Sequence, residues 1–73
     1  MKLRGLRQVR QRSGLSIGQL AELTGLRRET IAHLEQGKEE PQPKAVHRLS
    51  AILDASLADL AGNLTGLGAT HLR

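Results

Sequence analysis

The sequence predicts an all-α fold of five short helices in one small domain. Its 73 residues include no Phe, Tyr, Trp or Cys, so aliphatic side chains must form the core without disulfides or thiolate metal sites. Leucine is frequent, and Leu keeps its preferred rotamers in a helix, where β-branched side chains are restricted. Apolar residues also recur at three- and four-residue spacings between short breaks that contain Gly or Pro.

The first helix is predicted before Ser13-Gly14, because apolar residues recur there at every third position with cations off that stripe. Those apolar residues are Leu3, Leu6 and Val9. Ser16 begins the second helix, since its hydroxyl and the Gln19 side chain can satisfy free amides as a capping box. Gly14 and Gly25 end the two helices, because Gly tolerates the left-handed conformation of a C-terminal cap.

The third helix is predicted over residues 27–36 and ends at Gly37. Its inward-facing side chains are predicted to be Leu26, Ile31 and Leu34. Pro43 suits the first position of a fourth helix, where no amide hydrogen is needed. The predicted apolar face of this fourth helix consists of Val46, Leu49, Ile52 and Leu53.

A fifth helix, which carries Leu57 and Leu60, is predicted after a short break at Asp54-Ala55. Ser56 with Asp59 is expected to cap it. We place the folded domain over residues 1–61. Residues 62–73 are expected to form a flexible tail, because Gly is frequent there and apolar periodicity is weak.

The charge of the chain points to an anionic partner. Eleven Lys and Arg outnumber seven Asp and Glu, giving a formal net charge of +4, and nucleic acid is the commonest partner of a small basic domain. Most of these cations are Arg, whose planar fork suits phosphate and guanine edges. Residues 1–12 lack an apolar run long enough for a signal peptide or a membrane span, so we expect a cytoplasmic protein without membrane association.

The segment from Ser16 to Gly37 has the spacing that a helix-turn-helix requires. Ala21 is small enough to let two helices cross closely, and Gly25, four residues on, can adopt a positive φ without steric cost. Ile31, ten residues after Ala21, reaches back into the angle between the helices. Two further leucines complete this wedge, Leu20 and Leu34. Any corner of two helices can show part of this pattern.

Across roughly residues 6–60, the chain resembles the Cro and phage-repressor helix-turn-helix family, also called the XRE-like family. The most specific part is the run from Ile31 through Leu34-Glu35-Gln36-Gly37-Lys38 to Pro41. The other matching runs are Gly14-Leu15-Ser16, Gln19-Leu20-Ala21-Glu22, Thr24-Gly25-Leu26, and Leu49 to Leu60. The resemblance implies a lambda-repressor-like domain that binds double-stranded DNA, with the third helix entering the major groove.

The resemblance also implies which residues contact DNA. The positions that face the base edges are Arg27, Arg28, Glu29 and His33, with Arg28 suited to a bidentate contact with guanine. The positions that face the phosphates are Ser16, Ile17, Gln36, Gly37, Lys38 and Lys44, of which the first two offer backbone amides at a helix start. Arg10 and Glu35 match a partly buried ion pair of the family, with a structural role.

Three places depart from the family pattern, one of which is Gln42-Pro43 in place of a Ser-Leu start of the fourth helix. Ile17 stands where the family usually has a Gln that clamps a phosphate, so only the backbone amide contact remains there. Arg27 replaces the usual Ser or Thr cap, which leaves the third helix without a side-chain acceptor at its start. The resemblance further implies a homodimer on a two-fold symmetric site, with Leu57, Leu60 and the tail as candidate contact surfaces.

An antitoxin or coregulator module that chiefly binds another protein is the alternative to a repressor. An enzyme is not expected, and neither is a cofactor or a metal. The three His residues lack metal-ligand spacing, the chain has no Cys, and Gly66-Leu67-Gly68 lacks the strand and helix that a phosphate-binding loop requires.

Overall fold

The computed structural model describes residues 1–62, and this part of the chain forms five α-helices and no strand. The helices are α1 (Leu6–Arg12), α2 (Ile17–Thr24), α3 (Arg28–Gln36), α4 (Pro43–Leu53) and α5 (Leu57–Ala61). The predicted all-α class is therefore confirmed. Residues 63–73, which make up nearly all of the predicted tail, lie outside the described residues.

Aliphatic side chains from every helix and from the segment before α1 meet in one core. α2 packs on α3 and α4, whereas α1 packs on α3 and α5 and α4 also contacts α5. The side chains that are almost completely buried are Leu3, Leu6, Val9, Leu20, Ile31, Leu34, Leu49 and Leu60. Because the core contains no aromatic ring, its stability rests on many small aliphatic contacts rather than on a few large anchors.

The predicted ends of α2 and α3 are confirmed. The Ser16 hydroxyl accepts a hydrogen bond from the Gln19 amide, and the Gln19 side chain accepts one from the Ser16 amide, at 3.0 and 2.8 Å. Gly25 and Gly37 end α2 and α3 in the left-handed conformation, with φ of 77° and 73°. These signals are local, so they could be predicted without knowledge of the tertiary structure.

The prediction that Leu3 belongs to the first helix was wrong. α1 begins at Leu6, and Leu3 is fully buried in the turn before it. The Leu6 amide donates to the Leu3 carbonyl at 3.1 Å, which closes that turn. An apolar residue in a turn next to a helix can continue the apolar periodicity of the sequence without belonging to the helix.

The predicted apolar face of α4 was also partly wrong. Its buried residues are Ala45, Leu49 and Leu53, whereas Val46 is only half-buried and Ile52 is 40% exposed. The small Ala45 lies where α4 meets the rest of the domain. α4 is therefore rotated away from the orientation in which its bulkiest side chains would all be buried.

α5 closes the core against the start of α1. The Gly5 amide donates to the Leu60 carbonyl at 2.9 Å, and Leu60 is fully buried. Leu60 therefore cannot belong to a dimer surface as predicted, whereas Leu57 is 52% exposed. The Ser56 hydroxyl accepts from the Asp59 amide as expected, but Asp59 Oδ1 is buried and has no hydrogen-bond partner among the described residues.

Candidate nucleic-acid interface

The sharp turn between α2 and α3 presents α3 on the surface. Gly25 adopts the left-handed conformation and its amide donates to the Ala21 carbonyl at 2.8 Å. Ala21 is buried at the crossing, and Ile31 of α3 is fully buried beneath it in the same core. The Ala, Gly and Ile spacing thus produces the helix-turn-helix geometry that it predicted.

Two polar side chains stabilise this turn, and the sequence analysis did not identify either role. The buried Thr24 hydroxyl donates to the Leu20 carbonyl at 2.8 Å and accepts from the Leu26 amide at 3.3 Å. Arg48 of α4 donates from Nη1 to the Thr24 carbonyl at 3.0 Å. A cation at the C-terminal end of α2 also complements the negative end of its dipole.

One side of α3 is exposed along the whole helix. Successive residues turn by about 100°, so the exposed side spans roughly 140° and lies opposite the core-facing Ile31 and Leu34. Its residues are Arg28, Glu29, Ala32, His33 and Gln36, of which Ala32 is half-buried. Glu29 and Gln36 lie most directly opposite the core. The sequence analysis missed Ala32, whose small side chain leaves the middle of this surface flat.

The structure places three of the four predicted base-contacting residues on this exposed side, and the fourth at its edge. Arg27 is the N-terminal cap of α3 and makes no capping hydrogen bond with its side chain. The guanidinium of Arg28 lies over Gly18 of α2. His33 Nδ1 is 3.7 Å from a Glu39 carboxylate oxygen, so protonated His33 has an acidic neighbour in the following loop.

Two of the predicted phosphate-contacting residues line a single cleft with a volume of about 260 Å³. Ile17 contributes from the first turn of α2 and Gln36 from the last turn of α3. The cleft is lined by Arg7, Arg10, Ile17, Ala32, Glu35 and Gln36. Arg7 is exposed, so this cleft carries a cation that is not among the predicted contact residues.

The loop after α3 is connected to the start of the chain. The Lys2 ammonium donates to the Gly37 carbonyl at 2.7 Å, and the Lys38 amide donates to the His33 carbonyl at 2.9 Å. The amino group of Met1 contacts the Glu40 carboxylate and holds the pKa of that carboxyl below its usual value. Lys2 therefore lies beside two of the predicted phosphate contacts, Gly37 and Lys38. Lys44, the last of them, is exposed in the first turn of α4.

Arg10 and Glu35 form a bidentate ion pair that docks α1 on α3. Arg10 donates from Nε to Glu35 Oε2 at 2.5 Å and from Nη2 to Oε1 at 3.1 Å. A third donor, Nη1, reaches the Leu15 carbonyl at 2.9 Å. Hydrogen bonding to Glu35 raises the pKa of Arg10, which remains charged at all ordinary pH values.

The described residues contain no cluster of three or more His, Asp or Glu side chains that could hold a metal ion. Among residues 1–62, none of the helices has the length and apolarity needed to cross a membrane.

The fold and the exposed α3 surface define the class of helix-turn-helix DNA-binding domains. A family model described as a helix-turn-helix domain matches residues 4–62. The chain is also similar to two proteins of Archaeoglobus fulgidus, each described as an uncharacterized HTH-type transcriptional regulator. It is 34% identical to one and 31% identical to the other over 55 residues, which are 75% of this chain and 79% and 78% of theirs.

This chain belongs to the XRE-like helix-turn-helix family.

Proposed function

We propose that this chain is a transcriptional regulator that binds double-stranded DNA sequence-specifically and represses transcription. The observation that carries the proposal is the exposed side of α3, which lies opposite its core-facing residues and starts at a sharp turn. α3 enters the major groove, and its N-terminal turn faces the base edges. The two Archaeoglobus fulgidus relatives, whose names describe transcriptional regulators, support this assignment.

The residues that contact the bases lie at the start and along the exposed side of α3. They are Arg27, Arg28, Glu29 and His33. Arg28 is assigned a bidentate contact with guanine, since its fork matches the two acceptors on that edge. Glu29 accepts from a cytosine amino group. The phosphate contacts are assigned to Ser16, Ile17, Gln36, Gly37, Lys38 and Lys44, of which Ile17 and Gly37 are half-buried and the others exposed. The cleft that Ile17 and Gln36 share supports this division, because it brings the start of α2 beside the end of α3.

The protein acts as a homodimer on a two-fold symmetric site. Two recognition helices then lie about 34 Å apart, one turn of the duplex. Leu57 is the surface side chain that supports this proposal, because it projects an aliphatic group into solvent at the first position of α5. The residues after Gly62, which were also a candidate for this surface, lie outside the described residues.

Selection from a random duplex library tests this function directly. We expect enrichment of a short sequence in two half-sites about ten base pairs apart. Affinity for that duplex should fall as salt rises, with a slope of log K against log salt of about −0.9 for each phosphate contact. A tight complex with another protein, together with DNA binding that is absent or insensitive to salt, would instead support the antitoxin or coregulator alternative.

The Arg28→Ala variant tests the base assignment. Loss of a bidentate contact should cost about 1–3 kcal/mol at one base pair of each half-site and relax the preference there. Arg4→Ala is the matched control, because Arg4 is an exposed Arg that packs against Gly62 at the end of α5 rather than on α3. Equal weakening by Arg28→Ala on every duplex sequence would show that Arg28 contacts only phosphate.

A further inference from the structure

Gly18, the second residue of α2, lies directly under the guanidinium of Arg28 at the start of α3. A Cβ atom at position 18 would be 2.9 Å from Nη2, 3.1 Å from Cζ and 3.2 Å from Nε of Arg28. Carbon atoms in ordinary contact are about 3.5–4.0 Å apart. The guanidinium therefore occupies space that is available only because residue 18 has no side chain.

The backbone of Gly18 does not explain the choice of Gly. Gly18 lies inside α2 and does not have a positive φ, unlike Gly14, Gly25, Gly37 and Gly62. Gly within a helix is less stable than Ala, because it loses more conformational freedom on folding. The stability of α2 would thus favour Ala at this position. Among the described residues, the three atoms nearest to a Cβ at position 18 all belong to Arg28, so the contact with Arg28 favours Gly.

We propose that Gly18 is a specificity-determining positioning residue, which seats the Arg28 guanidinium against α2 and so sets the base edge that Arg28 reads. This inference rests on the proposed function. Arg has several rotatable bonds, and a fork that is already held in place loses less freedom when it binds guanine. A side chain at position 18 displaces the guanidinium from this seat and leaves α3 itself in place, because only the far end of a flexible side chain has to move.

The test is a double-mutant cycle with wild type, Gly18→Ala, Arg28→Ala and the double variant. Affinity is measured on the duplex selected by the wild type and on duplexes changed at each base pair of a half-site. Gly18→Ala should melt at the same temperature as the wild type or higher. It should nevertheless bind the selected duplex at least threefold more weakly and lose preference at the base pair that Arg28→Ala affects. In the Arg28→Ala background, Gly18→Ala should change affinity by less than 1.5-fold.

Two further measurements make the result decisive. Glu22→Ala, an exposed change on the same helix, should leave the base preference unchanged. In the free protein, the Arg28 Nε–Hε NMR resonance, assigned by its absence in Arg28→Ala, should shift in Gly18→Ala.

Equal weakening by Gly18→Ala in both backgrounds, or no effect in either, would overturn the inference while leaving the proposed function standing. An unchanged Nε–Hε resonance would also contradict the proposed contact between the Arg28 guanidinium and Gly18. If the wild type selects no duplex at all, the proposed function fails, and the inference fails with it.

Discussion

The Arg10–Glu35 ion pair should be the most sensitive polar feature of this domain, and Glu35→Ala tests that expectation. The side chains of Arg10 and Glu35 are only 10% and 6% exposed. Two of the Arg10 nitrogens donate to the carboxylate, and a third donates to the Leu15 carbonyl. Removing the carboxylate leaves a buried guanidinium with the Leu15 carbonyl as its remaining partner among these three contacts.

The cost of that change can be compared with the total stability of the domain. Removing one partner of a buried ion pair costs about 3–5 kcal/mol, because the other charge stays buried without compensation. A folded chain of this length has a free energy of unfolding of about 4–11 kcal/mol, at roughly 0.05–0.15 kcal/mol per residue. Glu35→Ala should therefore remove at least a quarter of the stability. At about 4–8 °C per kcal/mol, Tm should fall by about 12 °C or more.

Urea and thermal unfolding followed by circular dichroism measure this effect. The double variant Arg10→Met, Glu35→Leu removes both charges at once and should be clearly more stable than Glu35→Ala, because no charge is left buried. Glu22→Ala, which removes an exposed carboxylate, should change stability by less than about 0.5 kcal/mol. A loss below about 1 kcal/mol for Glu35→Ala would refute the reasoning, since it would show that solvent screens the pair.

Two other substitutions test backbone features. A Cβ atom at Gly5 would lie 2.2 Å from the Asp59 carbonyl oxygen, so Gly5→Ala should separate α5 from α1 and cost at least about 1–3 kcal/mol in urea unfolding. Full stability of this variant would show that α5 moves freely. Arg27→Ser supplies the side-chain acceptor that α3 lacks and should raise stability by about 1 kcal/mol. The same variant should bind DNA more weakly, and a rise in affinity would contradict the assignment of Arg27 to the interface.

The sequence predicted the features that depend on neighbouring residues. The Ser16 capping box and the Gly25 and Gly37 caps follow from hydrogen bonds within a few residues, and each is present in the structure. The order and number of the helices could be predicted for the same reason. Their rotation about their own axes was harder to predict. In α4, Leu49 and Leu53 fit either of two apolar stripes, and only packing against the other helices selects the stripe with Ala45 over that with Val46 and Ile52.

The candidate interface likewise has some features that local sequence predicts and others that depend on how the helices pack. The spacing of Ala21, Gly25 and Ile31 predicts which helix is presented, because the geometry of one turn determines it. The contacts of Arg48 with the Thr24 carbonyl and of Arg28 with Gly18 join residues from different helices, and nothing in their local sequence indicates them. Such contacts depend on how the helices pack, so the sequence pattern alone could not predict them.

Arg28 and Glu35 show how folding and the proposed base contacts are combined on α3. They are seven residues apart and differ in direction around the helix by only about 20°, so both lie on the side of α3 that adjoins the preceding helices. Glu35 contacts Arg10 of α1, and Arg28 contacts Gly18 of α2. The pair with Arg10 sets the position of the helix at its C-terminal end, whereas Gly18 sets the direction of its first side chain. A change at the C-terminal end of α3 should therefore affect stability, and a change at its N-terminal end should affect base preference. Loss of Glu35 should destabilise the domain, whereas a side chain at position 18 should alter the base preference of the folded domain without lowering its stability.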